Sequence, residues 1–325
     1  MSASDTTTTP RKGGRLLALG RLLRISLAPT ALADIAAGTV LGAGAWPHGA
    51  APFLLMLASA CVYHGGMALN DWADRGEDVR ANPGRPIPSG ALSARAALTL
   101  ALALLLLGPL LATAVAPRAG LVLAGVAACA ALYDLAGRGA WRGPLLLGLC
   151  RAGNLGTGLA FASTLTPWRP ELFLAPAAYG LYVFLVSRLA RLEDVESDRL
   201  AGFHPARWIV GAGLVLAGIG LLGVTLAAQP EKAGLEALLG WPGRAAPILA
   251  LVGAYGLFSA AWEQGDAAWT PESVRRITGQ ALRRLLIASA ALAASTGIQD
   301  GWWTAVAILC GYPLAFLLRR LFPPT

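Results

Sequence analysis

Long apolar stretches alternate with short polar segments along most of the chain. Ten stretches are close to the roughly 20 residues that an α-helix needs to cross the apolar core of a bilayer. They are 25–45, 52–70, 93–115, 119–136, 144–165, 171–191, 206–228, 244–262, 280–298 and 301–320. The pattern predicts an all-α polytopic membrane protein. Its single transmembrane domain, 25–320, follows a basic segment, 1–24, and precedes a short tail, 321–325.

Composition and charge agree with a membrane protein and predict its orientation. Hydrophobic residues make up 56% of the chain and charged residues only 14%, against roughly 25% in soluble domains. If the N-terminus is inside, twenty-one of the 26 Lys and Arg residues fall on the cytoplasmic side. This bias predicts an inner-membrane protein with both termini in the cytoplasm. The net charge of +8 is spread over many short loops, so the lipid bilayer, and not a nucleic acid, is the expected partner.

Acidic residues concentrate in two short segments that end the second and sixth predicted spans. Eight of the eighteen acids lie there, namely Asp71, Asp74, Glu77, Asp78, Glu193, Asp194, Glu196 and Asp198. Four spans separate the segments, so both are expected on the same, cytoplasmic face. If the second span continues as a helix, Asn70, Asp74 and Asp78 form one stripe with Asp71 beside it.

The two acidic clusters point to bound magnesium. Asp194 and Asp198 form an i, i+4 pair in the second cluster. Like charges this close destabilise a helix unless cations neutralise them. Mg²⁺ prefers oxygen ligands and typically takes one or two carboxylates together with substrate phosphates. The clusters therefore predict magnesium ions that share one diphosphate. The alternative is that these acids are solvated loop charges paired with neighbouring arginines.

Further polar residues are candidates for the rest of an anion site. Arg85 follows the first cluster in a proline-rich loop, and Arg138 ends the fourth span. Arg151 and Asn154 share a face of the fifth span, and Asp34 lies in the first. An ionisable group inside a membrane span is by default a functional candidate. A purely structural ion pair among these groups is an equally open alternative.

The acidic clusters form motifs that can be compared with known families. Residues 70–78 read NDWADRGED, which fits N-D-x-x-D-x-x-x-D, and residues 194–198 read DVESD, which fits D-x-x-x-D. The pair resembles the signatures of the UbiA superfamily of intramembrane prenyltransferases. The resemblance implies a helical bundle that transfers a prenyl group from a magnesium-bound prenyl diphosphate to an acceptor. Members of the family usually have nine spans, whereas the apolar pattern here gives ten, the extra one after the second motif; we therefore expect a bundle of about nine to ten spans. The resemblance also implies that one metal ion is held by Asn70, Asp71, Asp74 and Asp78. A second ion would be held by Asp194 and Asp198, and Arg85 would contact phosphate.

One departure from the family concerns the fourth span. Many members with aromatic acceptors carry a tyrosine there, followed four residues later by lysine. Here Tyr133 is followed by Gly137 and only then by Arg138. We expect Tyr133, Arg138, Arg151 and Asn154 to contact substrate.

The residues within and around the motifs predict the acceptor. The first cluster, the stretch Arg85–Gly90 and residues Cys150–Asn154 are similar to the UbiA-like member of bacterial ebo gene clusters. This resemblance implies a small polar acceptor of the cyclitol type, with an aromatic acceptor as the alternative. A transporter that uses the acids as a vestibule is the competing hypothesis. It is disfavoured because, apart from Asp34, the acids cluster at one face.

Overall fold

The computed structural model describes residues 12–136, 139–195, 200–227, 241–264 and 269–322. Every regular element within these ranges is helical. In chain order the α-helices are α1 (Lys12–Leu22), α2 (Ala28–Ala43), α3 (Ala51–Ala73), α4 (Arg75–Ala81), α5 (Ala94–Val115), α6 (Pro117–Leu135), α7 (Arg142–Ala162), α8 (Leu174–Ala190), α9 (Pro205–Ala227), α10 (Trp241–Gln264), α11 (Pro271–Arg283), α12 (Leu285–Ala294), α13 (Gln299–Leu309) and α14 (Gly311–Leu321). Short 3₁₀ turns lie at Ile25–Leu27, Pro170–Phe173 and Ala201–Phe203.

Nine predicted spans are confirmed as long apolar helical segments. Within the described ranges, the segments long and apolar enough to cross a membrane are Ile25–Ala43, Ala51–Ala73, Ala94–Val115, Pro117–Leu135, Arg142–Ala162, Pro170–Ala190, Pro205–Leu226, Ala245–Gln264 and Gln299–Leu321. Each boundary lies within three residues of its predicted position. The chain is a multi-pass membrane protein.

The remaining predicted span, 280–298, is wrong as a single helix. Thr270 caps α11 and Pro271 occupies its first turn. However, α11 ends at Arg283 and α12 begins at Leu285. The Arg284 side chain between them donates a 2.9 Å hydrogen bond from Nε to the carbonyl oxygen of Gly253. A break of one residue leaves the apolar pattern unchanged, so the pattern cannot reveal it.

The two broken helices nevertheless run the length of the bundle. We call the end that holds residues 70–78 the motif end. α11 starts there, where Arg275 Nε lies 3.5 Å from Glu193 Oε2. After α12, at the opposite end, the carboxylate of Asp300 accepts a 3.0 Å hydrogen bond from the backbone N–H of Trp46. α11 and α12 together therefore extend between the two ends of the bundle, beside the nine long segments of the described chain.

Glycines bring α2 and α7 into close contact at the centre of the bundle. A Cβ at Gly38 would collide with the carbonyl oxygen of Leu155, and one at Gly158 with the carbonyl oxygen of Ile35. Small residues allow membrane helices to approach in this way. The contact holds α2, which carries Asp34, directly against α7.

Replacing Gly38 by alanine is expected to destabilise the protein because Leu155 must move. Overpacking of this kind costs roughly 1–3 kcal/mol. The measurement is the free energy of unfolding in detergent. Gly125→Ala on α6 is the matched control, since nothing lies within 4 Å of its added Cβ. Equal stability of both variants would contradict the close contact between α2 and α7.

Candidate active site

The first acidic cluster lies at the junction of α3 and α4. The predicted continuous helix is interrupted at Asp74. A 2.9 Å hydrogen bond from the backbone N–H of Asp78 to the carbonyl oxygen of Asp74 keeps the helical spacing across the break. Asp71 and Asp78 are buried, Asp74 is half-buried and Glu77 is exposed. The stripe of acids therefore presents two buried carboxylates rather than a fully solvated face.

Two arginines neutralise these buried carboxylates. Arg85 Nη1 lies 2.6 Å from Asp78 Oδ2 and 3.5 Å from Asp71 Oδ1. Arg24 Nη2 lies 3.2 Å from the same Asp71 oxygen and 3.5 Å from Asn70 Oδ1. Buried charges are tolerated when they are paired in this way. The site thus joins three separate segments of the chain, and its guanidinium groups are of the type that binds phosphate.

Arg24 and Asp134 are site residues that sequence reasoning missed. Arg24 belongs to the basic segment before the first span, where membrane topology accounts for its charge. Asp134 Oδ1 accepts a 2.8 Å hydrogen bond from Asn70 Nδ2. The sequence signal that could have found Asp134 is an acid inside the apolar fourth span, next to Tyr133.

The second acidic cluster follows α8 in a turn. α8 ends at Ala190, and Asp194 is exposed four residues later. Asp194 therefore lies in a turn beyond α8, whose end is within one residue of the predicted end of the sixth span, and the i, i+4 pairing of Asp194 with Asp198 stays a prediction. Asp198, like Arg138, lies outside the described residues, so the structure says nothing of either.

Glu193 links the second cluster to α11. Its carboxylate pairs with Arg275 at 3.5 Å. Burial raises the pKa of Glu193, and the positive charge of Arg275 opposes that rise. This contact fixes the start of α11 beside the segment that carries Asp194.

The donor atoms of the first cluster suit magnesium in type. Within the described ranges, no three His, Cys, Asp or Glu side chains stand close enough to hold one metal ion. The oxygen donors of Asn70, Asp71, Asp74 and Asp78 are nevertheless the hard ligands that Mg²⁺ prefers. The arginines on Asp71 and Asp78 also show that negative charge here is balanced by positive partners.

A cavity of about 640 Å³ lies beside the first cluster and has three distinct surfaces. The cavity mouth is lined by Arg24, Asn70, Tyr133 and Asp134. The apolar wall is formed by Leu27, Leu282, Leu285, Leu286 and Phe316. We call the cavity floor the group of polar lining residues that lies deeper in the bundle, among apolar neighbours such as Val62; they are Thr30, Ser59, Tyr63, Arg151 and Asn154. Of the predicted substrate contacts, Asn70, Tyr133, Arg151 and Asn154 line the cavity, whereas the Arg85 side chain contacts Asp71 and Asp78 beside it.

A buried carboxylate organises the cavity floor. Asp34 Oδ2 accepts hydrogen bonds from Arg151 Nη1 at 2.9 Å and from Asn154 Nδ2 at 3.1 Å. Asp34 Oδ1 accepts from the Tyr179 hydroxyl at 2.5 Å and from Ser289 Oγ at 3.3 Å. The ion pair that the sequence left open is therefore present. Because Arg151 and Asn154 also line the cavity, their contact with substrate stays a prediction.

Comparison with known proteins assigns the chain to a family. The model of the UbiA prenyltransferase family matches residues 31–274, about three quarters of the chain. The chain belongs to the UbiA prenyltransferase family. It is therefore an enzyme of the prenyltransferase class, and the transporter hypothesis is not supported.

Relatives of this UbiA-family chain include two named synthases. The digeranylgeranylglyceryl phosphate synthase of Ignicoccus hospitalis is 34% identical over 218 residues, which cover 62% of this chain and 67% of that protein. The bacteriochlorophyll synthase 33 kDa chain of Cereibacter sphaeroides is 32% identical over 185 residues, which cover 54% and 60% respectively. Assignment to the ebo-cluster subgroup stays a prediction.

Solved structures share the fold of this UbiA-family chain. A UbiA homolog from Aeropyrum pernix K1 superposes with a TM-score of 0.61 at 22% identity, covering 83% of this chain and 97% of that one. A UbiA homolog from Archaeoglobus fulgidus bound to GPP and Mg²⁺ gives a TM-score of 0.59 at 17% identity, covering 85% and 99%. The predicted helical bundle of the UbiA type is confirmed.

Proposed function

We propose that this UbiA-family enzyme transfers a prenyl group from a magnesium-bound allylic prenyl diphosphate to a small hydroxyl-bearing acceptor. One observation carries the proposal. The buried carboxylates of Asp71 and Asp78 are paired with Arg24 and Arg85 beside a cavity that has both an apolar wall and a polar floor. Such a site offers charged groups to a diphosphate, apolar surface to a prenyl chain and polar groups to an acceptor.

The first cluster and the second would hold the diphosphate through magnesium. The residues that would hold the two ions are Asn70, Asp71, Asp74 and Asp78 for one, and Asp194 and Asp198 for the other. When bound, the metal supplies charge stabilisation for the leaving diphosphate. The homolog from Archaeoglobus fulgidus bound to GPP and Mg²⁺ supports this reading.

Arginines would complete the stabilisation of the leaving group. Arg24 and Arg85 donate hydrogen bonds to phosphate oxygens where negative charge develops. The bond between the allylic carbon and the diphosphate oxygen breaks, and its electron pair leaves with pyrophosphate. A bond forms between that carbon and the acceptor oxygen. The proton of the acceptor hydroxyl passes to a carboxylate of the acidic clusters.

The apolar wall would hold the prenyl chain and keep water from the reacting carbon. Its side chains come from the 3₁₀ turn before α2 and from α11, α12 and α14. Excluding water matters because an allylic cation reacts with any nearby hydroxyl. Tyr133 at the mouth adds an aromatic face, which attracts a cation.

Further observations support the proposed acceptor and the proposed cytoplasmic location of the motif end. The name of the Ignicoccus hospitalis relative adds a glyceryl phosphate to the predicted cyclitol and aromatic acceptors. The polar cavity floor favours an acceptor that carries hydroxyl groups. The excess of Lys and Arg on one side supports a cytoplasmic motif end in the inner membrane.

Metal removal tests the proposed function. The full chain in lipid nanodiscs is given radiolabelled geranyl diphosphate with candidate acceptors, and pyrophosphate release and prenylated product are measured. We expect both to fall to background with EDTA and to return with excess Mg²⁺, because the leaving group then regains its stabilisation. Turnover that is equal with and without EDTA would contradict the proposal. Metal-dependent flux through proteoliposomes without a covalent product would favour a transporter instead.

A further inference from the structure

The cavity floor lies well below the predicted diphosphate site. Ser59, Tyr63 and Asn70 all line the cavity from α3. With a rise of 1.5 Å per residue, Tyr63 lies roughly 10 Å and Ser59 roughly 16 Å from Asn70 along the helix axis. The floor is therefore a separate region that a diphosphate held at Asn70 leaves open.

Arg151 presents unused hydrogen-bond donors to this region. A guanidinium group has five N–H donors. Among the described residues, Arg151 uses Nη1 to Asp34 Oδ2 and Nη2 to Thr30 Oγ1, each at 2.9 Å. Its side chain is only 16% exposed, and its Cζ lies 5.4 Å from the centre of the Tyr63 ring. Arg151 lines the cavity, so its further N–H donors can bond the oxygen atoms of a ligand there without breaking these two contacts.

The charge balance of the cavity floor determines whether a charged or a neutral ligand oxygen can bind there. Asp34 neutralises Arg151, and the other groups around them are hydroxyls and an amide, on Thr30, Ser59 and Asn154. A phosphate placed here would bring an unbalanced buried charge, which is strongly unfavourable. Neutral hydroxyl groups would add no charge to the site and would avoid this cost. Elsewhere in the cavity lining, Arg283 and Arg319 form no ion pair with an acid of the described residues.

We propose that the cavity floor binds the hydroxyl groups of a polyol acceptor, a chemistry that a glyceryl phosphate and a cyclitol share. This inference rests on the proposed function and names the acceptor site within it. Arg151 donates to acceptor hydroxyl oxygens other than the reacting one, which faces the allylic carbon beside the diphosphate, and Asp34 is the positioning residue that fixes the guanidinium. Asn154 supports them, because its amide is already bonded to Ser59 Oγ at 2.6 Å and to Asp34. A phosphate on the acceptor, if present, points away from the floor.

Arg151→Lys tests the inference because lysine keeps the charge but loses the planar fork of donors. The full chain in nanodiscs is assayed with geranyl diphosphate and three acceptor probes: glycerol 1-phosphate, myo-inositol and 4-hydroxybenzoate. We expect the KM for the polyol probes to rise about 10- to 100-fold. The KM for geranyl diphosphate should change less than about twofold, since Arg151 does not touch the acidic cluster. Arg169→Gln is the control, because Arg169 lies at the opposite end, where it bonds Glu171 and the carbonyl oxygen of Leu226 and none of the cavity residues.

A second variant keeps the test valid if Arg151→Lys folds poorly. Asp34→Asn combined with Arg151→Gln removes both charges of the pair at once, which a buried site tolerates better than losing one. The same selective loss of polyol affinity is expected. The single variant Asp34→Asn keeps Arg151. A lower KM for the polyol probes in this variant than in the double variant would assign the hydrogen bonds to the guanidinium.

The possible outcomes separate the two proposals. A product formed only from 4-hydroxybenzoate, or an equal loss of affinity for geranyl diphosphate in Arg151→Lys, overturns the acceptor site and leaves the proposed function standing. An unchanged polyol KM in both variants also overturns it. Absence of magnesium-dependent pyrophosphate release from the wild-type chain overturns the proposed function and the acceptor site together. The glycerol 1-phosphate and myo-inositol arms tell which polyol is used.

Discussion

Asp78→Asn is expected to lower kcat/KM for prenyl transfer by about 10²–10³-fold, or roughly 3–4 kcal/mol of transition-state stabilisation. The substitution removes a negative charge that balances Arg85 at 2.6 Å and would serve as a metal ligand. Both losses weaken the binding and the charge stabilisation of the leaving diphosphate. The measurement is pyrophosphate release at saturating and at limiting Mg²⁺. Because a ligand is lost, the Mg²⁺ concentration for half-maximal rate should also rise.

Glu77→Gln is the matched control for this experiment. Glu77 precedes Asp78 on the same short helix, but its side chain is exposed. Its 2.9 Å bond to Asp74 runs from the backbone N–H to the carbonyl oxygen, so Gln keeps it. Loss of the Glu77 charge should change kcat/KM less than about twofold, as is usual for surface charges. Similar effects of both substitutions would mean that the acids act through bulk charge rather than through the buried site. The Asp78→Asn variant should fold, since Arg85 keeps its contact with Asp71.

Asp34→Ala is expected to destabilise the protein by roughly 3–5 kcal/mol, because it leaves the Arg151 guanidinium buried without a counter-charge. Tyr179 and Ser289 lose their acceptor at the same time. The measurement is the free energy of unfolding in detergent, or the melting temperature where unfolding is irreversible. The double variant Asp34→Ala with Arg151→Met should recover a large part of the loss, since it removes the uncompensated charge.

The exposed pair of Arg169 and Glu171 supplies the control for stability. These side chains also form an ion pair, at 2.8 Å, but both reach solvent. Glu171→Ala should therefore have little or no effect on unfolding. A double variant at Asp34 and Arg151 that is as unstable as Asp34→Ala alone would show that the cost comes from lost packing and not from the unpaired charge.

The membrane spans could be predicted closely because the bilayer responds to local composition. About 20 consecutive apolar residues suffice to cross it, wherever they lie in the chain. Nine segments accordingly match their predicted positions. The exception, 280–298, depends on how the polar Arg284 reaches the backbone of α10. That contact joins residues 31 positions apart, and no apolar pattern contains it.

The candidate site could be predicted only in part. The motif at residues 70–78 identified the acids, since their spacing is local. It did not identify Arg24, which bonds Asp71 across 47 positions, or Asp134, which bonds Asn70 across 64. Long-range pairing depends on how helices pack, and the spacing of residues in one helix does not fix it.

The sequence by itself determined that this chain crosses the membrane many times, carries two acidic motifs and resembles the UbiA superfamily. These properties follow from composition and spacing, which act locally. Only the tertiary structure decided that Asp34 and Arg151, 117 positions apart, meet at the floor of the cavity, and that Arg24 and Arg85 meet at Asp71. The physical reason is that a buried charge needs an opposite charge close to it, and the packing of the helices determines which residue lies there. The partner is therefore chosen by the close approach of α2 to α7 and of the loops to α3, and not by distance along the chain.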